Sequence, residues 1–190
     1  LAALNGIDIA GLKSTTIIAA AQLTVEVDGM YMPVNGRRNS PEPQIWTNVL
    51  VQQQVDRLPL RALHQTAPDT AAISRRTKKA AAAIFFINGI EMSVLERNLN
   101  QHVWNRPAMA GVVRTVADRT RDLLPAVGAV LAELYPDDAS EVRALVGRTI
   151  TRLEFGIPPD LIDIAQLDLG HNRQQLLALK NAGLTDLQEV

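Results

Sequence analysis

Arg152-Leu153-Glu154-Phe155-Gly156-Ile157-Pro158-Pro159-Asp160-Leu161 ends one helix and opens a different kind of structure. Gly156 and Pro158 stop the amphipathic pattern that runs from Val142 to Phe155. A short helix follows, then a Leu169-Gly170-His171-Asn172 turn and a second short helix ending at Ala182-Gly183-Leu184. Two short helices joined by a tight Gly-containing turn present backbone N–H groups and a basic residue to a phosphate. His171 and Arg173 stand at this turn, with Asn172 as a candidate N-cap. Ordinary capping of two packed helices accounts for the same residues, and a single glycine is a weak signal.

Upstream, helical spacing dominates. Leu12–Leu23 places Leu12, Thr16, Ala19, Ala20 and Leu23 on one side, and Ile45, Val49, Val55 and Leu58 repeat the pattern. Ser74–Ile87 starts with Arg75, Arg76, Lys78 and Lys79 and then turns strongly apolar, which predicts a buried helix with a basic entrance, ended by Gly89. Ser93 and Glu96 predict a capping box for a helix through Val103. The longest helix is expected from about Val112 to Leu134. Val116, Thr120, Leu123, Val127, Val130, Leu131 and Leu134 form its inner arc, Arg114, Asp118, Arg121 and Pro125 the opposite stripe, and Pro125 a kink. Only Thr24–Val34, around Asp28-Gly29, carries a β-hairpin signal. The fold class expected is all-α: a multi-helix bundle over 1–156, a helix-hairpin-helix element over 157–190, and a short β-hairpin near 24–34.

The chain has 190 residues, of which 47% are hydrophobic and 21% charged, enough for a core and too ordered in composition for wholesale disorder. It has no cysteine, which removes disulfides and thiolate metal sites and fits a reducing, cytoplasmic setting. The longest apolar stretches, Ala80–Ile87 and Ile17–Ala21, are too short to span a bilayer, so no membrane partner is expected. Leu1 in place of Met, and a capping box Thr185-x-x-Gln188 at the end, predict a fragment of a longer protein.

The net charge of −1 hides a division. Residues 1–56 carry −2, residues 57–121 carry 11 basic against 4 acidic side chains, or +7, and residues 122–190 carry −6. A basic middle is the footprint of a phosphate-binding surface, although solvated helix faces give single clusters of the same kind.

Catalytic patterns are missing. There is no P-loop, no Gly-x-Gly-x-x-Gly and no Gly-x-Ser-x-Gly elbow, and His64, His102 and His171 lack metal-ligand spacing. Asp137-Asp138 reads as helix capping. No cofactor or metal is expected in this chain. Arg114 and Arg121 lie two helical turns apart, about 10 Å, a spacing that suits a single-stranded backbone. Local pairs with Asp118 and Asp122 on a solvated face explain it too, and spacing alone favours them. Trp104, between Gln101-His102 and Asn105-Arg106, has the chemistry to stack on a base, but a tryptophan at a helix end is by default a core edge.

The order of elements resembles the C-terminal region of superfamily 2 DNA helicases of the Ski-like group, which includes the archaeal fork helicases and the helicase part of polymerase theta. The likeness runs through the Leu1–Leu23 opening, Phe86-Ile87-Asn88-Gly89 with Leu95-Glu96, and Ala110-Gly111-Val112-Val113-Arg114. It continues in Arg152-Leu153-Glu154-Phe155-Gly156-Ile157-Pro158 and Lys180-Asn181-Ala182-Gly183-Leu184. The resemblance implies a helical ratchet domain followed by a helix-hairpin-helix element, with the helix from Val112 lying along translocating single-stranded DNA or RNA. Arg114 or Thr115 would lie near the backbone. Asp122 stands where the family often has a stacking aromatic, while Arg121 beside it keeps a cation. ATP and Mg²⁺ would belong to motor lobes elsewhere in the same polypeptide. The residues expected at nucleic acid are Arg114, Thr115, Arg121, His171, Arg173, Arg75, Arg76, Lys78 and Lys79. The competing expectation is a protein-interaction module using apolar helix faces or the 24–44 segment.

Overall fold

Thr70–Ile87 is the helix around which the others gather. In the computed structural model, which describes residues 3–35, 37 and 39–185, it is α5 of ten α-helices among the described residues. α1 (Ser14–Ala21), α2 (Val25–Asp28), α3 (Glu42–Gln52) and α4 (Arg57–Gln65) precede it, and α6 (Met92–Leu99), α7 (Ala110–Leu134), α8 (Ala139–Phe155), α9 (Ile162–Gln166) and α10 (Arg173–Asn181) follow. Single 3₁₀ turns stand at Ile9–Gly11 and Pro159–Leu161. The protein is all-α.

Sequence explains why α5 is central. Asp69 caps it by accepting from the Ala72 N–H at 2.6 Å. Ala80, Ala81, Ala82 and Ala83 are fully buried, and their small side chains let α1, α3, α6, α7 and α8 approach its backbone. α7 and α8 form an antiparallel pair over a short turn, with Gly128 seated against Val146. Buried hydrogen bonds lock α1 to this pair: the Ser14 and Thr149 hydroxyls lie 2.7 Å apart, and Gln22 Nε2 donates to Thr120 Oγ1 at 3.1 Å. A second, smaller apolar cluster joins Ile157, Leu161, Ile164, Ala165 and Leu176 around the terminal helices.

Several expectations are corrected. The 24–34 segment is not a hairpin. Gly29 has φ −71°, whereas a two-residue hairpin turn of the expected kind needs positive φ, and Val25–Asp28 closes into the helical turn α2. The 45–58 pattern breaks into α3 and α4, with Asp56 capping α4 through the Leu58 N–H. Ser93 and Glu96 form no capping box. Glu91 caps α6, and Glu96 instead accepts from the N–H groups of Met109 and Ala110, at 2.7 and 2.8 Å, at the start of α7. α7 begins two residues earlier than expected. Its buried face is Val113, Val116, Ala117, Thr120, Leu124, Gly128, Leu131 and Ala132, so Val130 and Leu134 are exposed rather than inner. Pro125 sits inside α7 without ending it. Beyond Thr185, the Thr185–Gln188 capping box lies outside the described residues.

Candidate nucleic-acid interface

The basic residues of 75–79 form the densest cationic run in the chain, and most of that charge is spent inside the fold. Lys78 is fully buried. Its Nζ donates to the Pro33 carbonyl at 2.6 Å and pairs with Glu42 Oε1 at 2.9 Å. Lys79 is equally buried and donates to the carbonyls of Val27 and Asp28. Arg76 grips Asp28 through two bonds of 2.6 and 2.7 Å and also donates to Thr66 Oγ1. Arg76, Lys78 and Lys79 are therefore withdrawn as backbone contacts, because the chain's own oxygens already satisfy them away from solvent. Arg75 alone of the four stays partly open, in a recess shared with Asp28, Tyr31 and Pro68.

Burial tunes these groups. Desolvation pulls the Lys79 ammonium down to about 8, against the smaller opposing pull of Asp28. It lowers Lys78 too, with Glu42 opposing. The hydrogen bond from Arg76 holds the Asp28 carboxyl below its usual range, more strongly than partial burial raises it.

The remaining sequence-predicted residues fall on α7 and α10. Arg114 is exposed, and its guanidinium lies 5.6 Å from the centre of the Phe86 ring. Arg173 lies 4.8 Å from the same ring. These two cations, far apart in sequence, thus converge on one aromatic residue. An open groove of about 460 Å³ runs between them, lined also by Met92, Gly111, Asn172 and Gln174. Sequence reading missed Phe86 as the common support, because its apolar surroundings mark it only as core.

Arg173 is more than a surface charge. Its Nε donates to the Gly156 carbonyl at 2.8 Å and its Nη2 to the Ile90 carbonyl at 2.7 Å, pinning α10 to the ends of α5 and α8. Burial is the first cause that lowers its pKa, and the neighbouring Arg114 charge the second. Arg152, also unforeseen, makes a parallel pin: its side chain donates to the carbonyls of Ile157 and Ile87 and to Asn88 Oδ1.

Asn172 is the N-cap of α10, and with Gln175 it makes a full capping box. His171 is half-buried beside Phe155 and Ile164 in a cavity of about 40 Å³, and its Nδ1 has no partner among the described residues. Thr115 is exposed on α7, its hydroxyl bonded to the Gly111 carbonyl at 2.8 Å. Arg121 pairs with Asp122 at 3.1 Å and Asp118 at 3.6 Å, so its charge is largely answered locally. Trp104 reverses its expectation: it is 92% exposed rather than a core edge.

Compared with protein-family models, curated proteins and solved structures, this chain gives no match. Among the described residues, no helix is long and apolar enough to cross a membrane.

Proposed function

We propose that this chain is the noncatalytic C-terminal region of a DEAD/DEAH-type, superfamily 2 helicase, guiding single-stranded DNA while motor lobes of the same polypeptide hydrolyse ATP. One observation carries the reading. Arg114 stands exposed at the start of the longest helix, facing a groove it shares with Arg173, and forms no ion pair among the described residues. An unanswered guanidinium at a groove is what a phosphate backbone requires. Glu96 occupies the first N–H groups of α7, so the helix terminus contributes little and the arginine supplies the attraction.

Fluorescence anisotropy with a labelled single strand tests this. Arg114→Ala lowers the slope of log affinity against log salt by about 0.7, the share of one released counterion. Arg121→Ala leaves the slope nearly unchanged, since Asp118 and Asp122 already neutralise it. Absence of binding at low salt sinks the proposal.

A second reading is a module that recruits a protein partner to a larger enzyme without binding nucleic acid. It draws on the exposed apolar side chains of Val25 and Leu169. Capture of an isolated motor domain, without affinity for single strands, favours it.

A further inference from the structure

The chain has two tryptophans, and the fold treats them oppositely. Trp46 is 3% exposed and bonds Glu42 in the core, whereas Trp104 is 92% exposed. Burying a tryptophan stabilises a core substantially, a gain the fold forgoes at Trp104. Tyr31, 69% exposed, lies along the same groove. That groove has a volume of about 990 Å³, at the top of the range for small-molecule sites and suited to an extended ligand. Arg37 and Arg106 also line it, with Asn105 and His102, and no carboxylate does among the described residues. Arg106 has φ +38°, a left-handed backbone that costs about 1 kcal/mol or more for a residue with a side chain.

We propose that this groove is a second single-strand site, in which unpaired bases stack on Trp104 and Tyr31 while Arg37 and Arg106 hold the phosphates. It rests on the nucleic-acid reading proposed above and adds base stacking to it. The pairing of aromatic faces with arginines and no acid is the recipe for sequence-tolerant binding of single strands. Met32, Val34 and Val103 also line the groove, but a hydrophobic protein partner leaves Arg37 and Arg106 without the counter-charge that a phosphate backbone supplies. The two grooves are neighbours along the chain. Pro107 lines one and Ala110 the other, at most about 11 Å of extended backbone apart.

Intrinsic fluorescence gives the test, because a stacked base quenches the exposed Trp104 while buried Trp46 emits as a constant background. A deoxythymidine oligonucleotide of about 12 nucleotides, within the span of such sites, is titrated into the protein. The expected result is quenching of the exposed emission, with binding weakened about 5- to 150-fold in Trp104→Ala and largely kept in Trp104→Phe. An abasic strand of the same length binds wild type and Trp104→Ala alike. Arg106→Gly relieves the backbone, so it weakens binding without lowering the melting temperature.

Unmoved emission, with Trp104→Ala binding as well as wild type while Arg114→Ala binds worse, overturns the stacking site and leaves the proposed function standing. The reverse pattern upholds the stacking site and removes Arg114 from the strand's path. Binding to no strand at all overturns both and leaves the groove to a protein partner.

Discussion

Lys78 and Glu42, from α5 and the first residue of α3, form an ion pair with neither side chain accessible to solvent, Nζ to Oε1 at 2.9 Å. Glu42 also accepts from Trp46 Nε1 and from the Asn35 N–H, and Lys78 Nζ lies 5.5 Å from the Trp46 ring. This closed set holds Pro33, Asn35 and the first turn of α3 against the central helix.

Removing one member strands the other. Lys78→Met is expected to lower unfolding free energy by about 3–5 kcal/mol, the usual cost of an orphaned buried charge. Lys78→Met with Glu42→Gln recovers part of that loss. The amide offers one oxygen where the carboxylate offered two, so it accepts from Trp46 or from the Asn35 N–H but not from both, which keeps the recovery partial. Urea denaturation of the two variants decides; an equal loss in both speaks against a buried ion pair.

Lys79 predicts an alkaline rise in stability. It loses its proton near 8 when folded and near its ordinary 10.5 when unfolded. Between those values the unfolded chain binds more protons, so unfolding free energy increases with pH, by at most about 1.4 kcal/mol per unit for one group. Lys78 shifts in the same direction, and Tyr135, raised by burial, opposes the trend only above its ordinary value of 10. Chemical denaturation from pH 8 to 9.5 is expected to show the rise, with a smaller slope in Lys79→Met. A slope identical in wild type and variant contradicts it.

Gly156 ends α8 at φ +67°, and a Cβ there falls 2.6 Å from Arg173 Nε and inside contact distance of the Phe86 ring. Gly156→Ala therefore combines a left-handed penalty of about 1 kcal/mol with an overpacking cost of about 1–3 kcal/mol. Gly147, exposed inside the same helix with nothing near its missing Cβ, is the control. Gly147→Ala is expected to raise stability by up to about 1 kcal/mol. Melting temperatures moving in opposite directions confirm the pair of effects.

Arg173→Lys tests whether geometry or charge fastens α10. A single ammonium cannot reach the carbonyls of Gly156 and Ile90 from two sides as the guanidinium does. Amides of α10 are expected to exchange hydrogen faster in the variant, while those of α5 stay protected. Equal protection in variant and wild type shows that charge alone suffices.

What sequence made legible was what short range decides. The apolar run from Ala80 to Ile87, the stop at Gly156 and the Asn172 cap depend on neighbours within a turn or two, and each is found in the fold. The basic entrance at 75–79 was misread because its partners are remote: Glu42 lies 36 residues from Lys78, and the carbonyls held by Lys79 lie 51 and 52 residues away. Glu96 was misread in the same way, since a carboxylate that suits its own helix was drawn to another one 13 residues on. Arg114 and Arg121 look equivalent in sequence, and only the adjoining carboxylates and the Phe86 ring separate them.

Two guanidiniums sharing the surroundings of Phe86 repel each other, and Arg114 is among the causes that lower the Arg173 pKa. An anion seated on Arg114 cancels that repulsion, so Arg173 holds its carbonyls at less cost. If the proposed function holds, strand occupancy and attachment of the terminal helices would be thermodynamically linked, each strengthening the other by the same factor. Under that reading the C-terminal helices would gauge the load on α7, tightening with a strand present and easing when it leaves.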